Sequence, residues 1–502
     1  MMGEEERLPT QRDGAEEIHS KPENGARTCV CGPIYWFRML AKELHWSFVF
    51  GVVIVYGMSQ GLGGALAMVG TEYYMKDVQK VQPSDAQFYS GITSIPWIVK
   101  PIWGLLTDVV PVFGYHRKPY FLFAGFMGVF AMLFVSIHKE VHIVLALLSL
   151  TAGSASVAIA DVTVDACVAQ KSGIHPSLAA DIQSLCALSA AIGSLVGFSF
   201  SGIFVHLIGP QGVFGLLTIP AWLVLLVGLL LKENRISNFP YEQMNQNFLK
   251  AGKSMWKTLK CPEVWRPCLY MYLSFSLSLS ISEGMFYWAT DSKDGPSFSK
   301  EIIGYVMAIG SIGSLLGAIL YQYGLKNCPF RDLLMWAQIL SCLSGMLDLA
   351  LVLRWNLKLG IPDYFFVVID ASVSQLIGRL KWMPLLVLSS KLCPAGIEGT
   401  FFALLMSIDN FGLLTSSWFG GLLLRVLKVT RTEFGNLWVA VLVRNLLRIS
   451  PLFLLFLVPK GDPNSAILSD EVLNLKVVDE ENRENENVEL VSLVRSSDSD
   501  GR

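Results

Sequence analysis

Uninterrupted apolar stretches of about 20 residues recur along the whole chain, each long enough to cross roughly 30 Å of hydrocarbon. In lipid, every backbone N–H and C=O must find its partner inside the protein, so segments of this length have to be helices. The approximate spans are 46–69, 86–107, 119–137, 142–165, 179–207, 213–231, 266–289, 301–323, 332–353, 364–389, 400–424 and 436–458, twelve in all. Composition agrees, because only 16% of residues are charged against the quarter of an ordinary soluble domain. The expected fold class is an all-α membrane protein with twelve transmembrane helices in two pseudo-symmetric six-helix halves.

Polar segments divide the chain. Residues 1–45 are a polar N-terminal segment, 46–231 the first six-helix half, 265–458 the second, and 459–502 an acidic tail that reads as disordered. Between the halves, 232–264 places Lys250, Lys253, Lys257 and Lys260 at near-helical spacing around Trp256, the pattern of an amphipathic segment on a membrane surface. The acidic start, with Glu4, Glu5, Glu6, Glu16 and Glu17, lacks a signal peptide's apolar run and inverts the composition of a transit peptide. A plasma-membrane or endomembrane address is therefore expected rather than a plastid. Basic residues of the short loops and of the central segment favour cytoplasmic termini.

Several signals suggest that the second half duplicates the first. Asp165-Ala166-Cys167-Val168-Ala169-Gln170 in the fourth segment matches Asp370-Ala371-Ser372-Val373-Ser374-Gln375 in the tenth. Gly193 and Gly202 in the fifth segment are nine apart, as are Gly412 and Gly421 in the eleventh. Gly104 and Asp108 end the second segment before Arg117 and Lys118; Gly317, Tyr321 and Arg331 hold similar places in the second half. Duplicated carriers place their ligand near the midplane between the repeats.

Charges inside the membrane are costly and mark functional sites by default. The candidates are Lys100, Asp161, Asp165, Glu283, Asp370, Arg379, Lys381 and Asp409. Asp161 and Asp165 are four apart and share one helix face, so the pair suits proton coupling; either could instead pair with a lysine. Lys100, beside Pro101 and between Trp97 and Trp103, suits an anionic ring compound, or else pairs with Asp108 or reaches the interface. Arg379, Lys381 and Trp382 repeat that theme, and only an arginine can hold a carboxylate bidentately. Glu283 lies among Ser282, Gly284, Tyr287 and Trp288, a composition suited to a cavity wall or to the membrane interface.

Other functions find less support. A net charge of −2 argues against nucleic acid. Seven histidines without ligand spacing argue against a bound metal, no cofactor motif stands out, and no hydrolase or metalloprotease motif invites an enzymatic reading. Nine scattered cysteines form no paired framework.

The blocks Ser94-Ile95-Pro96-Trp97-Ile98-Val99-Lys100-Pro101-Ile102-Trp103-Gly104-Leu105-Leu106-Thr107-Asp108 and Pro111-Val112-Phe113-Gly114-Tyr115-His116-Arg117-Lys118-Pro119-Tyr120 resemble the folate–biopterin transporter family. So do Ala160-Asp161-Val162-Thr163-Val164-Asp165-Ala166 and the stretch from Glu398-Gly399-Thr400 to Asn410. The resemblance covers about 45–458 and implies a plant member that moves folates or pterins by alternating access, coupled to protons, across a lipid bilayer, one chain sufficing for the pathway. It implies that the pterin stacks on Trp97, Trp103, Trp288 or Trp382. Lys100, Arg379 or Lys381 would then bind the glutamate carboxylates, and Asp165 the pterin N–H groups. Gly104, Asp108, Arg117 and Lys118 resemble the gating loop signature of the major facilitator superfamily. Two other readings stay open: a carrier of another organic anion or polar solute, and a pterin-binding sensor that does not transport.

Overall fold

Within an apolar medium a proline or a polar side chain does not abolish a helix but breaks it where neighbours can take the freed backbone groups. The computed structural model, which describes residues 27–138, 140–235, 244–293, 295–393 and 398–460, shows this pattern throughout. After α1 (Arg27–Glu43) comes a rod over Trp46–Val78. It consists of α2 (Trp46–Val52), a π-helical stretch Val53–Gly63, α3 (Gly64–Tyr73) and a π-helical end Tyr74–Val78. The segment predicted at 86–107 is in three pieces: α4 (Pro83–Thr93), α5 (Ile95–Ile98) and α6 (Lys100–Val109). Pro96 and Pro101 each lack a backbone donor, and the chain leaves helical geometry at Val99 between them.

Next come α7 (Lys118–Ile137), α8 (Ile143–Ile174) and α9 (Ala179–Leu230). Inside α9, Gly209 has φ 72° and precedes Pro210, which separates the predicted spans 179–207 and 213–231. Then follow α10 (Met244–Leu259), α11 (Pro262–Ser276), α12 (Ser282–Asp291), α13 (Lys300–Leu320), α14 (Phe330–Val352), α15 (Trp355–Lys358), α16 (Asp363–Lys391), α17 (Glu398–Val426) and α18 (Leu437–Ile449). The serine-rich run between α11 and α12 interrupts the segment predicted at 266–289. On α10, Leu249 and Trp256 are exposed and Lys260 lies over the Trp256 ring. No strand forms among the described residues; a single bridge from Val112 to Tyr115 closes the turn after α6.

Among the described residues, seven helices are long and apolar enough to cross a membrane. The predicted segments outside them are 86–107 and 266–289, whose helices are broken, and 364–389 and 400–424, which carry Asp370, Arg379, Lys381 and Asp409. The N-terminal segment 1–26 and the tail 461–502 lie outside the described residues.

Each half has its own apolar core. One gathers Phe48, Val52, Phe121, Ile159, Val164 and Val224; the other gathers Val264, Tyr270, Phe330, Leu385, Phe401 and Leu405. A further cluster with Tyr73, Phe214, Phe286, Tyr287 and Phe298 crosses between them. The paired glycines of the sequence do corresponding work. Gly193 packs on the Gly57 backbone and Gly412 on the Tyr272 backbone, each inside its own half. Gly202 meets the backbone of Lys300 and Glu301, and Gly421 that of Ser84, each in the opposite half. A side chain at Gly202 would strike backbone. Gly202→Leu is therefore expected to cost about 1–3 kcal/mol, read as a lowered midpoint in thermal unfolding of the detergent-purified protein.

Candidate ligand site between the two halves

Burying an ammonium in an apolar bundle requires a counter-charge within contact distance. Lys100, the first residue of α6 after the break at Val99, has two, because its Nζ contacts Asp161 and lies 3.6 Å from Asp165 on α8. The spacing of four places both carboxylates on the face of α8 that meets the break. Lys100 also lies 5.4 Å from the Trp97 ring centroid. Its partner is thus Asp161, not Asp108.

The second oxygen of each carboxylate is held by the first rod. Gln60 donates to Asp161 and Tyr56 donates to Asp165. Both side chains project from the π-helical stretch Val53–Gly63, four apart like the carboxylates they serve. The two aspartates differ in access, since the Asp161 side chain is 6% exposed and that of Asp165 47%. Asp165 is the member of this cluster that a ligand can reach.

The break at Val99 frees backbone carbonyls, and α17 takes them up. Ser407 donates to the Ile98 carbonyl, and the Asn410 amide donates to that of Trp97 at 3.5 Å. Between these residues Asp409 is buried, and neither of its oxygens has a hydrogen-bond partner among the described residues. Lys381 on α16 is also buried, donating to the Ser274 carbonyl at 3.0 Å and to Ser278 at 3.4 Å.

The matching hexapeptides do not occupy equivalent places. Asp165 stands nine residues before the end of α8 at Ile174, whereas Asp370 stands seven residues after the start of α16 at Asp363. Asp370 is buried beside Ser374, near the Asp348–Arg444 ion pair (2.5 Å) that joins α14 to α18. Counted from the helix ends, Asp161 and Asp165 stand thirteen and nine residues before Ile174, and Arg379 and Trp382 twelve and nine before Lys391, so Trp382 is level with Asp165 and Arg379 lies about one turn from it. Arg379 stacks on Trp382 at 5.3 Å and donates from Nε to Ser314 at 3.1 Å. Among the described residues its two terminal nitrogens have no hydrogen-bond partner.

Other predicted residues lie elsewhere. Trp288 is buried beneath Arg354, and Trp103 packs against the first half's core. Glu283 lies in the first turn of α12, buried, with its backbone N–H donating to Gln87 at 3.1 Å, and does not join the Lys100 cluster. At the loop after α6, Arg117 bridges Asp108 (2.7 Å) and Thr107 (2.9 Å), while Gly104 faces Val162. Lys118 turns to the Tyr115 ring instead. Glu233 accepts the backbone N–H groups of His116, Arg117 and Lys118. Across the halves, Thr400 reaches Asp108 at 3.5 Å. Tyr56, Gln60, Glu233, Asp348 and Arg444 escaped the sequence reading: two are neutral, Glu233 and Asp348 sit near segment ends, where charges are ordinary, and Arg444 lies inside the segment 436–458, where its charge was the signal that could have found it.

Comparison with known proteins places this geometry in a family. Residues 60–473 match the BT1 family. The chain belongs to it. This is the family of folate–biopterin transporters that the α5–α6 blocks resemble. The chain is 63% identical to "Probable folate-biopterin transporter 2" of Arabidopsis thaliana, over 95% of this chain and 96% of that one. It is 33% identical to the "Folate-biopterin transporter" of Synechocystis sp., over 85% and 84%. Among solved structures it is similar to a D-xylose-proton symporter, with TM-score 0.59 at 13% identity, covering 86% of this chain and 99% of that one. The all-helical major facilitator fold is thereby shown in this BT1 protein.

Removing Lys100 would leave the buried Asp161 carboxyl without its cation. Lys100→Met is expected to lower stability by about 3–5 kcal/mol, and Lys100→Met with Asp161→Asn to recover much of that loss, measured as unfolding midpoints of the purified variants.

Proposed function

We propose that this BT1 protein is a secondary active transporter that moves folates or pterins by alternating access, coupled to protons. The observation that carries the reading is a half-exposed carboxylate on α8 (Asp165) and, about one turn from the matching level on α16, an arginine whose terminal nitrogens have no hydrogen-bond partner among the described residues (Arg379). A folate is complementary to that pair. Its pterin offers an amino N–H donor and a neighbouring ring-nitrogen acceptor to protonated Asp165 and a flat ring to Trp97 or Trp382, and its glutamate offers a carboxylate to Arg379. Lys100, already shared by two aspartates, acts through Asp161 and Asp165. Lys381, buried against Ser274 and Ser278, supports the second wall.

Proton coupling follows from charge balance. One lysine between two aspartates leaves the cluster a net negative charge, which opposes an anion. A proton on Asp165 cancels that charge, so proton and substrate enter together and leave together. The Asp108–Arg117 contact, with Thr400 across the seam, is the gate at that end. One chain contains both halves and suffices for the pathway, and both termini lie in the cytoplasm.

The test is uptake of labelled folic acid into proteoliposomes, with and without an inward proton gradient. The wild type should accumulate folate only with the gradient. Asp165→Asn should lose gradient-driven accumulation yet retain exchange of folate across the membrane. Arg379→Ala and Arg379→Lys should both lower uptake at least tenfold, about 1.4 kcal/mol, since a lysine cannot reproduce bidentate binding. Absent uptake by folded wild type would point to another solute.

A further inference from the structure

The two halves are tied together at the end opposite Asp108. Lys76 of the first rod reaches Asp291 (2.8 Å) and Thr290 (3.1 Å) on α12, and Lys300 reaches Asp77 (3.4 Å). Arg425 of α17 pairs with Asp85, and Arg431 approaches Asp291 at 3.6 Å. Gln87 donates to Ser417 (2.8 Å) and Ser280 (3.3 Å) and accepts from the Glu283 backbone.

Beneath this network lie two carboxyls that it does not neutralise. Glu72, one turn before Lys76, and Glu283, two turns before Asp291, are both more than nine-tenths buried. The Tyr73–Phe286 ring contact at 5.0 Å brings their helices together. Each has an Oε2 without a hydrogen-bond partner among the described residues; Glu72 directly precedes Tyr73 and Glu283 lies one turn before Phe286, so the two carboxyls stand on the helices that this ring contact joins. Every cation nearby is engaged elsewhere: Lys76, Lys300 and Arg431 with Asp77 and Asp291, Arg425 with Asp85. Two buried carboxylates without a cation cannot both stay ionised against one another.

We propose that Glu72 and Glu283 form a proton-binding site across the seam, holding one proton between them while this end is closed. When the halves part, water reaches both carboxylates and the proton leaves to bulk. Closing therefore takes up a proton, and by linkage an acidic medium on this side favours the closed end while an alkaline one favours opening. The site is separate from Asp161 and Asp165. The proposal rests on the alternating-access part of the reading above and not on the identity of the substrate.

Spin labels at Lys80→Cys and Lys293→Cys, both exposed, report the separation of the halves at this end in the full chain with its nine native cysteines replaced. The distance should lengthen as pH rises. In Glu72→Gln/Glu283→Gln it should stay short at every pH, with the helical circular dichroism unchanged. Other titratable groups facing this end are Tyr73, Asp77, Asp85, His206, Tyr287, Asp291 and Glu301; His206 and Glu301 pair at 2.9 Å. A pH response that persists in the double glutamine variant belongs to them and overturns the proposal. A wild-type distance that varies with neither pH nor folate overturns it together with alternating access. If folate uptake fails but the distance responds as described, the proton site stands and only the substrate is wrong.

Discussion

The contact between Lys100 and Asp161 is the constraint to which the first half is built. A lysine there is tolerable only if α8 brings a carboxylate to it, and α8 brings two. Lys100 reaches them because the helix restarts beside Asp161 and Asp165, after Pro96 and Pro101 have broken it. That break in turn needs α17, whose Ser407 and Asn410 take the carbonyls at Ile98 and Trp97. One buried charge thus connects a proline pair, an aspartate pair and a helix of the opposite half.

Much of this was legible in the sequence, for identifiable reasons. Long apolar runs report helices because lipid leaves the backbone no other choice. Lys100, Asp161 and Asp165 stood out because charges are rare in such runs, and the kink with its exposed carbonyls followed from Pro101. The glycine pairs, which matched only by spacing, proved to mark corresponding backbone contacts. The hexapeptide match misled in one respect: composition is repeated, but Asp165 and Asp370 stand near opposite ends of their helices. Tyr56 and Gln60 were invisible because a neutral polar residue in an apolar run carries no signal until its partner is known.

The seam between the halves uses two kinds of contact. At Gly202 and Gly421 backbone meets backbone, close and without side-chain chemistry. Around Asp77, Asp85 and Asp291 the contact is made by charges that lie partly in water, with Lys76 buried beneath them. The first kind tolerates small rotations while keeping the helices in touch. The second separates at modest cost where water can hydrate the ions.

The π-helical stretch Val53–Gly63 gives the first rod a property that a plain α-helix lacks. A π turn accommodates one more residue than an α turn over the same rise, so the rod carries slack. If that surplus moves along the helix, residues it passes swing by roughly 100° without the ends of the rod shifting, as a ripple travels along a carpet whose edges stay fixed. Tyr56 and Gln60 sit inside that ripple. The residues that steady the two aspartates can therefore release them by local re-registration, leaving the packing of Phe48 and Val69 on either side undisturbed.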